Sequence, residues 1–310
     1  MIGFVASFTI MTPNKHLPAP LLPQPYSPYP SRWTWLRNPP RSKPKLAFID
    51  FDGTLSRIRA GWLPIMRNMM EREIRWALGS QIDEQTIRDV TGWIAANNGK
   101  PTWHQMECLR LQLHSRGAQA KATKTYLETF NRLLHDATEP RRKELKLKKC
   151  RAEDWQVPGA RKLLETLSTK GFYLHLASGT EKAAVLEEAH LLGFDDLFKG
   201  QISAPDAGDP SFSKEEALFK VLANFGLRHD EVLVIGDGPV EIEIGSRNGC
   251  WTVGVAGHDD NRMGLDPWVA EKLEESGANA LIDFYNPVEK FLDWILAGPK
   301  QGVLSESGFT

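Results

Sequence analysis

The 310-residue sequence is poor in cysteine, has no excess of one charge and lacks a long apolar run. Its three cysteines stand far apart and without metal-ligand spacing, which predicts a reduced compartment and hence a cytoplasmic protein. A formal net charge of -1 predicts no general attraction for nucleic acid or for acidic membranes. The apolar residues 1–10 are too few to span a bilayer, so we expect no membrane partner, and no protein partner is evident.

Proline is unevenly distributed, because ten of the twenty prolines fall within residues 1–44. Such a segment cannot bury an apolar core, which predicts a disordered, proline-rich tail whose deletion leaves the fold and catalysis intact. Two alternatives stay open for this tail: it could be a ligand for a partner domain, or sequence upstream of a start at Met11. Residues 301–310 are expected to form a flexible C-terminal tail.

The rest of the chain is organised around a stretch that begins with Leu46–Ile49, a continuous run of apolar, strand-forming residues. Such a run predicts a strand buried on both faces of a parallel sheet. Asp50 and Asp52 follow two positions apart, so both carboxylates point the same way in an extended chain, and Gly53 permits a sharp turn. Taken alone, this sequence is also typical of a polar turn. At the carboxyl end of a strand in an open α/β sheet, however, this aspartate pair predicts a ligand site. Two carboxylates so close repel each other, so we expect a cation or a shared proton between them.

Residues 56–151 have an almost wholly helical pattern and interrupt the sheet directly after the aspartate pair. Their apolar spacing predicts four helices, over Trp62–Leu78, Glu84–Ala96, Thr102–Ser115 and residues 121–134. The basic run at residues 141–149 is expected to be a solvated face. We therefore predict that residues 56–151 form an inserted helical cap.

Residues 152–300 alternate between apolar, strand-like runs and amphipathic, helix-like segments. The runs at residues 172–177, 232–235 and 251–255, with a shorter one at Ile202, predict strands. This alternation predicts an α/β fold with a doubly wound, Rossmann-like parallel sheet, built from residues 45–55 and 152–300. Ser213 and Glu216 stand in capping-box register, which begins a helix and places Lys214 in its first turn.

Residues able to do chemistry fall at strand ends or helix starts in four places. They are Asp50 with Asp52, Ser178 with Gly179, Lys214, and Asp237 with Glu241. In this order they resemble the four motifs of the haloacid dehalogenase superfamily, in a phosphatase branch similar to phosphoglycolate phosphatase, over about residues 45–260. The resemblance implies a central first strand flanked by the strands that carry Ser178 and Asp237. Taken singly, each feature is also an ordinary turn or surface feature.

For the first and fourth motifs, the resemblance implies that Asp50 is a nucleophile that forms an aspartyl phosphate. Mg²⁺ would be held by Asp50, Asp237 and the backbone carbonyl of Asp52, with Glu241 binding the metal through water. Asp52 would act as general acid and then as general base. Because haloacid dehalogenases lack this second aspartate, the resemblance disfavours dehalogenation.

The second and third motifs imply a phosphate cradle made by the Ser178 hydroxyl, the Gly179 N–H and the Lys214 ammonium. The helical cap implies a small phosphomonoester substrate, with phosphoglycolate or a sugar phosphate as examples. The cap residues that are candidates to face the α/β core domain are Arg57, Arg59, Trp62 and the turn at residues 99–102. Two other functions stay open: a phosphomutase of the same superfamily, and a non-catalytic binding module on the same fold.

Overall fold

The computed structural model describes residues 33–79, 83–97, 100, 102–207, 209, 211–259 and 263–299. Among these, seven strands form one sheet: β1 (Trp33–Trp35), β2 (Leu46–Ile49), β3 (Tyr173–Ala177), β4 (Ile202–Ser203), β5 (Val232–Gly236), β6 (Trp251–Val255) and β7 (Ala280–Ile282). Their order is β1-β7-β6-β5-β2-β3-β4, and every pair is parallel except β1 with β7. The predicted parallel α/β sheet is confirmed.

Strand β2 is an interior strand, the fifth of seven in the sheet, and all four of its apolar residues are buried there. It pairs with β3 on one side and with β5 on the other, and Ile49 is in register with Leu176 and Ile235. The chain segments that follow these three strands therefore leave the sheet side by side. This arrangement confirms the expectation that the strands before Ser178 and Asp237 flank the strand before Asp50, although the first strand along the chain is β1 at the sheet edge.

Helices cover both faces of the sheet, and β2 divides its side chains between them with the period of two that a strand imposes. Ala47 and Ile49 pack in a cluster with α5 (Ala160–Thr169) and α11 (Val288–Ala297), whereas Leu46 and Phe48 pack with α8 (Lys214–Phe225). The remaining helices of this unit are α6 (Lys182–Leu191), α7 (Asp195–Phe198), α9 (Pro239–Arg247) and α10 (Pro267–Glu275). The sheet is therefore sandwiched in a three-layer architecture.

Between β2 and α5 the described residues form four α-helices with a separate apolar core. These are α1 (Trp62–Leu78), α2 (Glu84–Ala96), α3 (Thr102–Ser115) and α4 (Thr123–Lys146). Their buried core is rich in methionine, with Met66, Met69, Met70 and Met106 in one cluster. None of the helices in the described parts of the chain is both long enough and apolar enough to cross a membrane. We call α1–α4 the helical unit.

The fourth helix is longer than its sequence pattern predicts, because α4 continues past residue 134 to Lys146. It therefore includes much of the basic run that we expected to be solvated. That expectation is wrong for Arg141 and Arg142, which are both buried. Arg141 Nη1 donates to the backbone carbonyls of Ile58 and Ala60, at 2.6 and 2.8 Å. These two arginines attach the helical unit to the rest of the chain.

The prediction that residues 1–44 lie outside the folded core is wrong for Trp33–Trp35, which form β1. Trp35 is buried, and its ring centroid lies 4.9 Å from that of Trp294. The indole of Trp33 donates to the carbonyl of Phe284, and the indole of Trp251 donates to the carbonyl of Ser42. These contacts give the segment an apolar face that its proline content concealed. Residues 1–32 and 300–310, including Met11, lie outside the described residues.

Candidate active site

Asp50 and Asp52 follow the carboxyl end of β2, between the ends of β3 and β5. The N–H of Asp50 donates to the carbonyl of Ile235 at 2.9 Å, so the pairing with β5 continues one residue beyond the strand. The chain then turns at Gly53, whose φ of +76° favours glycine. A Cβ at this position would overlap the carboxylate of Asp237. Gly53 thus allows the segment after β2 to approach Asp237 closely.

Asp237 follows β5, and Glu241 lies in the first turn of α9. The N–H of Gly238 donates to Glu241 Oε1 at 2.8 Å, so the Glu241 side chain caps its own helix. A Cβ on Gly236 would overlap the Glu241 side chain, so only glycine leaves room for this arrangement. The hydroxyl of Thr54 donates to Asp237 Oδ1 at 3.0 Å, and this contact holds the carboxylate of Asp237 in place.

Lys214 is the first residue of α8, as the capping pattern predicts. The side chain of Ser213 accepts a hydrogen bond from the N–H of Glu216. Lys214 Nζ lies 2.6 Å from Asp50 Oδ1 and 3.0 Å from Glu241 Oε2, and its side chain is only 2% exposed. One buried ammonium group therefore connects the acidic residues that follow β2 and β5.

Three carboxylates share this small volume with a single ammonium group. Ligand oxygens of Asp50, Asp237 and Glu241 all lie within 4.8 Å of one another. Burial, together with the charge of Glu241, raises the pKa of Asp50 to about 7 against the opposing effect of Lys214. Burial and the neighbouring carboxylates also raise the pKa of Asp237 well above its usual range. Oxygen donors with excess negative charge match what Mg²⁺ prefers, so these residues fit a divalent cation.

Ser178 and Gly179 follow β3, next to the aspartate pair. The N–H of Ser178 donates to the carbonyl of Ser203 at 3.0 Å, which extends the pairing with β4. The buried Ser178 hydroxyl accepts a hydrogen bond from the N–H of Thr180 at 3.0 Å, and Gly179 is half-buried beside it. The structure therefore brings every predicted site residue to the same edge of the sheet.

Asp52 does not belong to the cluster of three carboxylates, because other residues hold its side chain. The hydroxyl of Thr180 donates to Asp52 Oδ2 at 2.7 Å, and Arg59 Nε lies 3.5 Å from Oδ1. Sequence reasoning missed Thr180, although its position directly after Ser178 and Gly179 was an available signal. The two aspartates of the first motif thus have different environments.

A buried ion cluster lies behind Arg59. Glu188 on α6 is completely buried and accepts from Arg59 Nε at 3.2 Å and from Arg59 Nη2 at 3.0 Å. Arg142 Nη1 on α4 donates to the same carboxylate at 3.1 Å. Glu188 therefore links the helical unit to the sheet and its covering helices, which we call the sheet unit, and it holds the arginine that faces Asp52. Its position within an α6 pattern of mixed polarity gave no signal in the sequence.

We expect Glu188→Gln to destabilise the protein, because Arg59 and Arg142 would lose the charge that compensates their burial. Removing one partner of a buried ion pair costs about 3–5 kcal/mol, and Asp52 beside Arg59 favours the lower end of that range. Equilibrium denaturant unfolding measures the loss.

Glu187→Gln is the matched control, one residue earlier on the same helix. Its carboxylate pairs with Lys146 at the surface, where both side chains are more than 40% exposed. Exposed pairs contribute about 0–1 kcal/mol, so this variant should unfold almost as the native protein does. Equal stability of the two variants would contradict a structural role for Glu188.

The helical unit and the sheet unit enclose a cleft above the aspartates. Arg59, Trp62, Lys100 and Thr102, which were expected to face the core, line this cleft together with Asp50. Arg57 instead lines a neighbouring depression and donates to the carbonyl of Asp259. Gly99 and Pro101 lie outside the described residues.

Comparisons with known proteins agree with this geometry. A model of the haloacid dehalogenase-like hydrolases matches residues 44–249. No curated protein matches the chain.

Several solved structures share the fold of this chain. A predicted phosphatase from Clostridium acetobutylicum is 16% identical with a TM-score of 0.52, over 82% of this chain and 100% of that one. A predicted phosphoglycolate phosphatase from Haemophilus somnus is 18% identical with a TM-score of 0.51, over 81% and 99% of the two chains. A proposed β-phosphoglucomutase from Bacteroides vulgatus is 18% identical with a TM-score of 0.52, over 82% and 90%.

Proposed function

This chain belongs to the haloacid dehalogenase-like hydrolases, and on that premise we propose that it is a Mg²⁺-dependent phosphatase of a small phosphomonoester. The observation that carries the proposal is the buried cluster of Asp50, Asp237 and Glu241 with Lys214, directly beside the separately held Asp52. The cluster suits a metal-assisted attack by a carboxylate, and Asp52 suits proton transfer.

In the proposed reaction, a carboxylate oxygen of Asp50 attacks the phosphorus of the substrate. The bond between phosphorus and the leaving alcohol breaks, and an aspartyl phosphate forms on Asp50. Water then attacks that phosphorus, which releases inorganic phosphate and restores the carboxylate. Lys214, 2.6 Å from Asp50 Oδ1, orients the nucleophile for this attack.

Asp50, Asp237 and Glu241 would hold the metal ion, with the backbone carbonyl of Asp52 as a further oxygen ligand. When bound, Mg²⁺ supplies positive charge that offsets the charge of the phosphate dianion and of the carboxylates around it. The buried carboxylates described above are the donor set that such an ion requires.

Asp52 carries the proton in both steps of the proposed reaction. It donates a proton to the leaving oxygen, and then it accepts one from the attacking water. Thr180 and Arg59 hold its carboxylate toward the cleft. Since a proton carrier must stay away from the metal ligands, this separate anchoring supports the role.

Ser178, Gly179 and Lys214 form the proposed phosphate cradle. The Ser178 hydroxyl and the Gly179 N–H supply donors at the end of β3, and the Lys214 ammonium supplies a full positive charge. Donors fixed in place before the reaction stabilise the transferring phosphoryl group without reorganisation.

The proposal is tested with purified protein, p-nitrophenyl phosphate and a panel of phosphorylated metabolites. We expect excess EDTA to abolish hydrolysis and added Mg²⁺ to restore it. Full activity in excess chelator, or turnover only with a bisphosphate activator as a mutase would show, would contradict the proposal.

Two variants on α9 refine the test. Glu241→Gln should raise the Mg²⁺ concentration for half-maximal activity by about tenfold or more. Glu243→Gln is the control, because this residue is 63% exposed and pairs with Arg247 at the surface. An equal Mg²⁺ requirement in both variants would contradict the place of Glu241 in the metal site.

A further inference from the structure

A second cavity opens beside the cleft, between α4, the start of α6 and the loop after β4, and we call it the outer chamber. Its volume is about 220 Å³, and it shares Arg59, Phe130 and Thr180 with the cleft. A group attached to a phosphate in the cleft would therefore extend into the outer chamber. This volume is many times the roughly 10–15 Å³ that a cavity needs to hold one water, so the chamber has room for more than a two-carbon group.

One wall of the outer chamber is apolar and carries polar groups at its margin. Trp103, Leu127, Phe130 and Leu134 supply carbon surface, and Asn131 supplies an amide that both donates and accepts. A wall of this kind matches a carbon skeleton that also bears hydroxyl groups.

Two arginines border the outer chamber, but protein groups already engage them. Arg142 donates from Nε to Glu139, from Nη1 to Glu188 and from Nη2 to Nδ1 of His135. Arg59 donates two hydrogen bonds to Glu188, as described above. These arginines are therefore already neutralised and poorly suited to binding the carboxylate of a substrate.

The remaining charged groups of the outer chamber are acidic. Glu181, Asp206 and Asp209 line it, and none of them forms an ion pair within 4.0 Å among the residues that the structure describes, although Glu181 is near enough to Arg59 to help raise the pKa of that arginine. Glu181 and Asp209 are half-buried, and Asp206 is exposed. The chamber next to the proposed reaction centre thus carries excess negative charge.

We propose that the outer chamber selects phosphomonoesters of an uncharged or amine-bearing polyol of about sugar size, and that it disfavours leaving groups with a carboxylate. This proposal rests on the proposed phosphatase function and narrows its substrate class. Three like charges around a bound carboxylate, screened by partial exposure, should lower its affinity on the order of tenfold.

Three substrates on one six-carbon skeleton test this selectivity. They are glucose 6-phosphate, glucosamine 6-phosphate and 6-phosphogluconate, whose leaving groups are neutral, cationic and anionic. We expect kcat/KM for 6-phosphogluconate to be about tenfold or more below that for the other two. Equal or better turnover of 6-phosphogluconate would overturn the proposal, as would failure to turn over all three while p-nitrophenyl phosphate is hydrolysed.

A triple variant identifies the residues responsible. Removing the three acids by Glu181→Gln, Asp206→Asn and Asp209→Asn should reduce the discrimination to about twofold, measured as the ratio of kcat/KM values within the variant. The control removes three acids of α10 by Glu271→Gln, Glu274→Gln and Glu275→Gln, which gives the same net charge and should preserve the discrimination. Unchanged discrimination in the first variant would overturn the role of these acids.

Binding separates this inference from the proposed function. Titration calorimetry of the three sugar phosphates with the Asp50→Asn variant measures affinity without turnover. If the native protein does not hydrolyse p-nitrophenyl phosphate but the affinities of the variant keep the expected order, the proposed function fails and the selectivity stands. If the native protein hydrolyses p-nitrophenyl phosphate but the variant binds 6-phosphogluconate as tightly as the other two sugar phosphates, only the selectivity fails.

Discussion

Asp50→Asn should abolish turnover of every phosphomonoester, with a loss on the order of 10⁴-fold or more. The substitution removes the attacking oxygen and one carboxylate of the metal cluster at once. The fold should persist, because Lys214 keeps Glu241 as a partner at 3.0 Å. Initial rates with p-nitrophenyl phosphate, alongside a folding control by circular dichroism, measure the effect. Near-native turnover would show that Asp50 is not the nucleophile.

Asp52→Asn should have a smaller effect that depends on the leaving group. With a sugar phosphate, whose leaving alcohol needs a proton, we expect a loss of about 10²–10⁴-fold, typical of general acid–base catalysis. An aryl phosphate leaves without a proton, so formation of the aspartyl phosphate should be affected much less. Single-turnover measurements with both substrates distinguish the two steps.

Thr180→Val provides a related control for Asp52, because it removes the hydroxyl that donates to Asp52 Oδ2 and keeps the carboxylate. Thr180→Val should lose less of the catalytic rate than Asp52→Asn, and this loss should show the same dependence on the leaving group. If Asp52→Asn slows phosphoenzyme formation equally for aryl and sugar phosphates, Asp52 does not supply the proton.

The elements with strong periodicity were predictable from sequence. Helices α1, α2 and α3 have the predicted bounds, because glycine, proline and polar residues interrupt a clear apolar pattern at their ends. The position of β2 between β3 and β5 was expected from the resemblance and is confirmed by their pairing. Local periodicity decides the bounds of the helices, whereas the position of β2 followed from the resemblance.

Two other elements could not be predicted, because distant residues decide their environment. The strand Trp33–Trp35 lies within proline-rich sequence, and its burial depends on Trp294, more than 250 residues later. Helix α4 extends through a basic run that would be solvated in isolation. Carbonyls near Ile58 and the carboxylate of Glu188 make burial of Arg141 and Arg142 possible.

The same distinction applies to the candidate site. Asp50, Ser178 and Asp237 follow predicted strands, so the topology of a parallel sheet brings them together. The ion cluster around Glu188 joins three separated segments by charge, and no local pattern in the sequence reports such a contact. The composition of the outer chamber depends on the docking of the helical unit and was equally inaccessible.

Trapping the phosphoenzyme tests most directly whether Asp50 carries the phosphoryl group. Asp52→Asn is mixed with an aryl phosphate and Mg²⁺, quenched in acid within milliseconds to seconds, and its peptides are analysed by mass spectrometry. Because formation of the intermediate needs no proton from residue 52 but its hydrolysis needs a base, phosphate should accumulate on the peptide that contains Asp50. Absence of a phosphopeptide while aryl alcohol is released, or phosphate on another residue, would contradict the account.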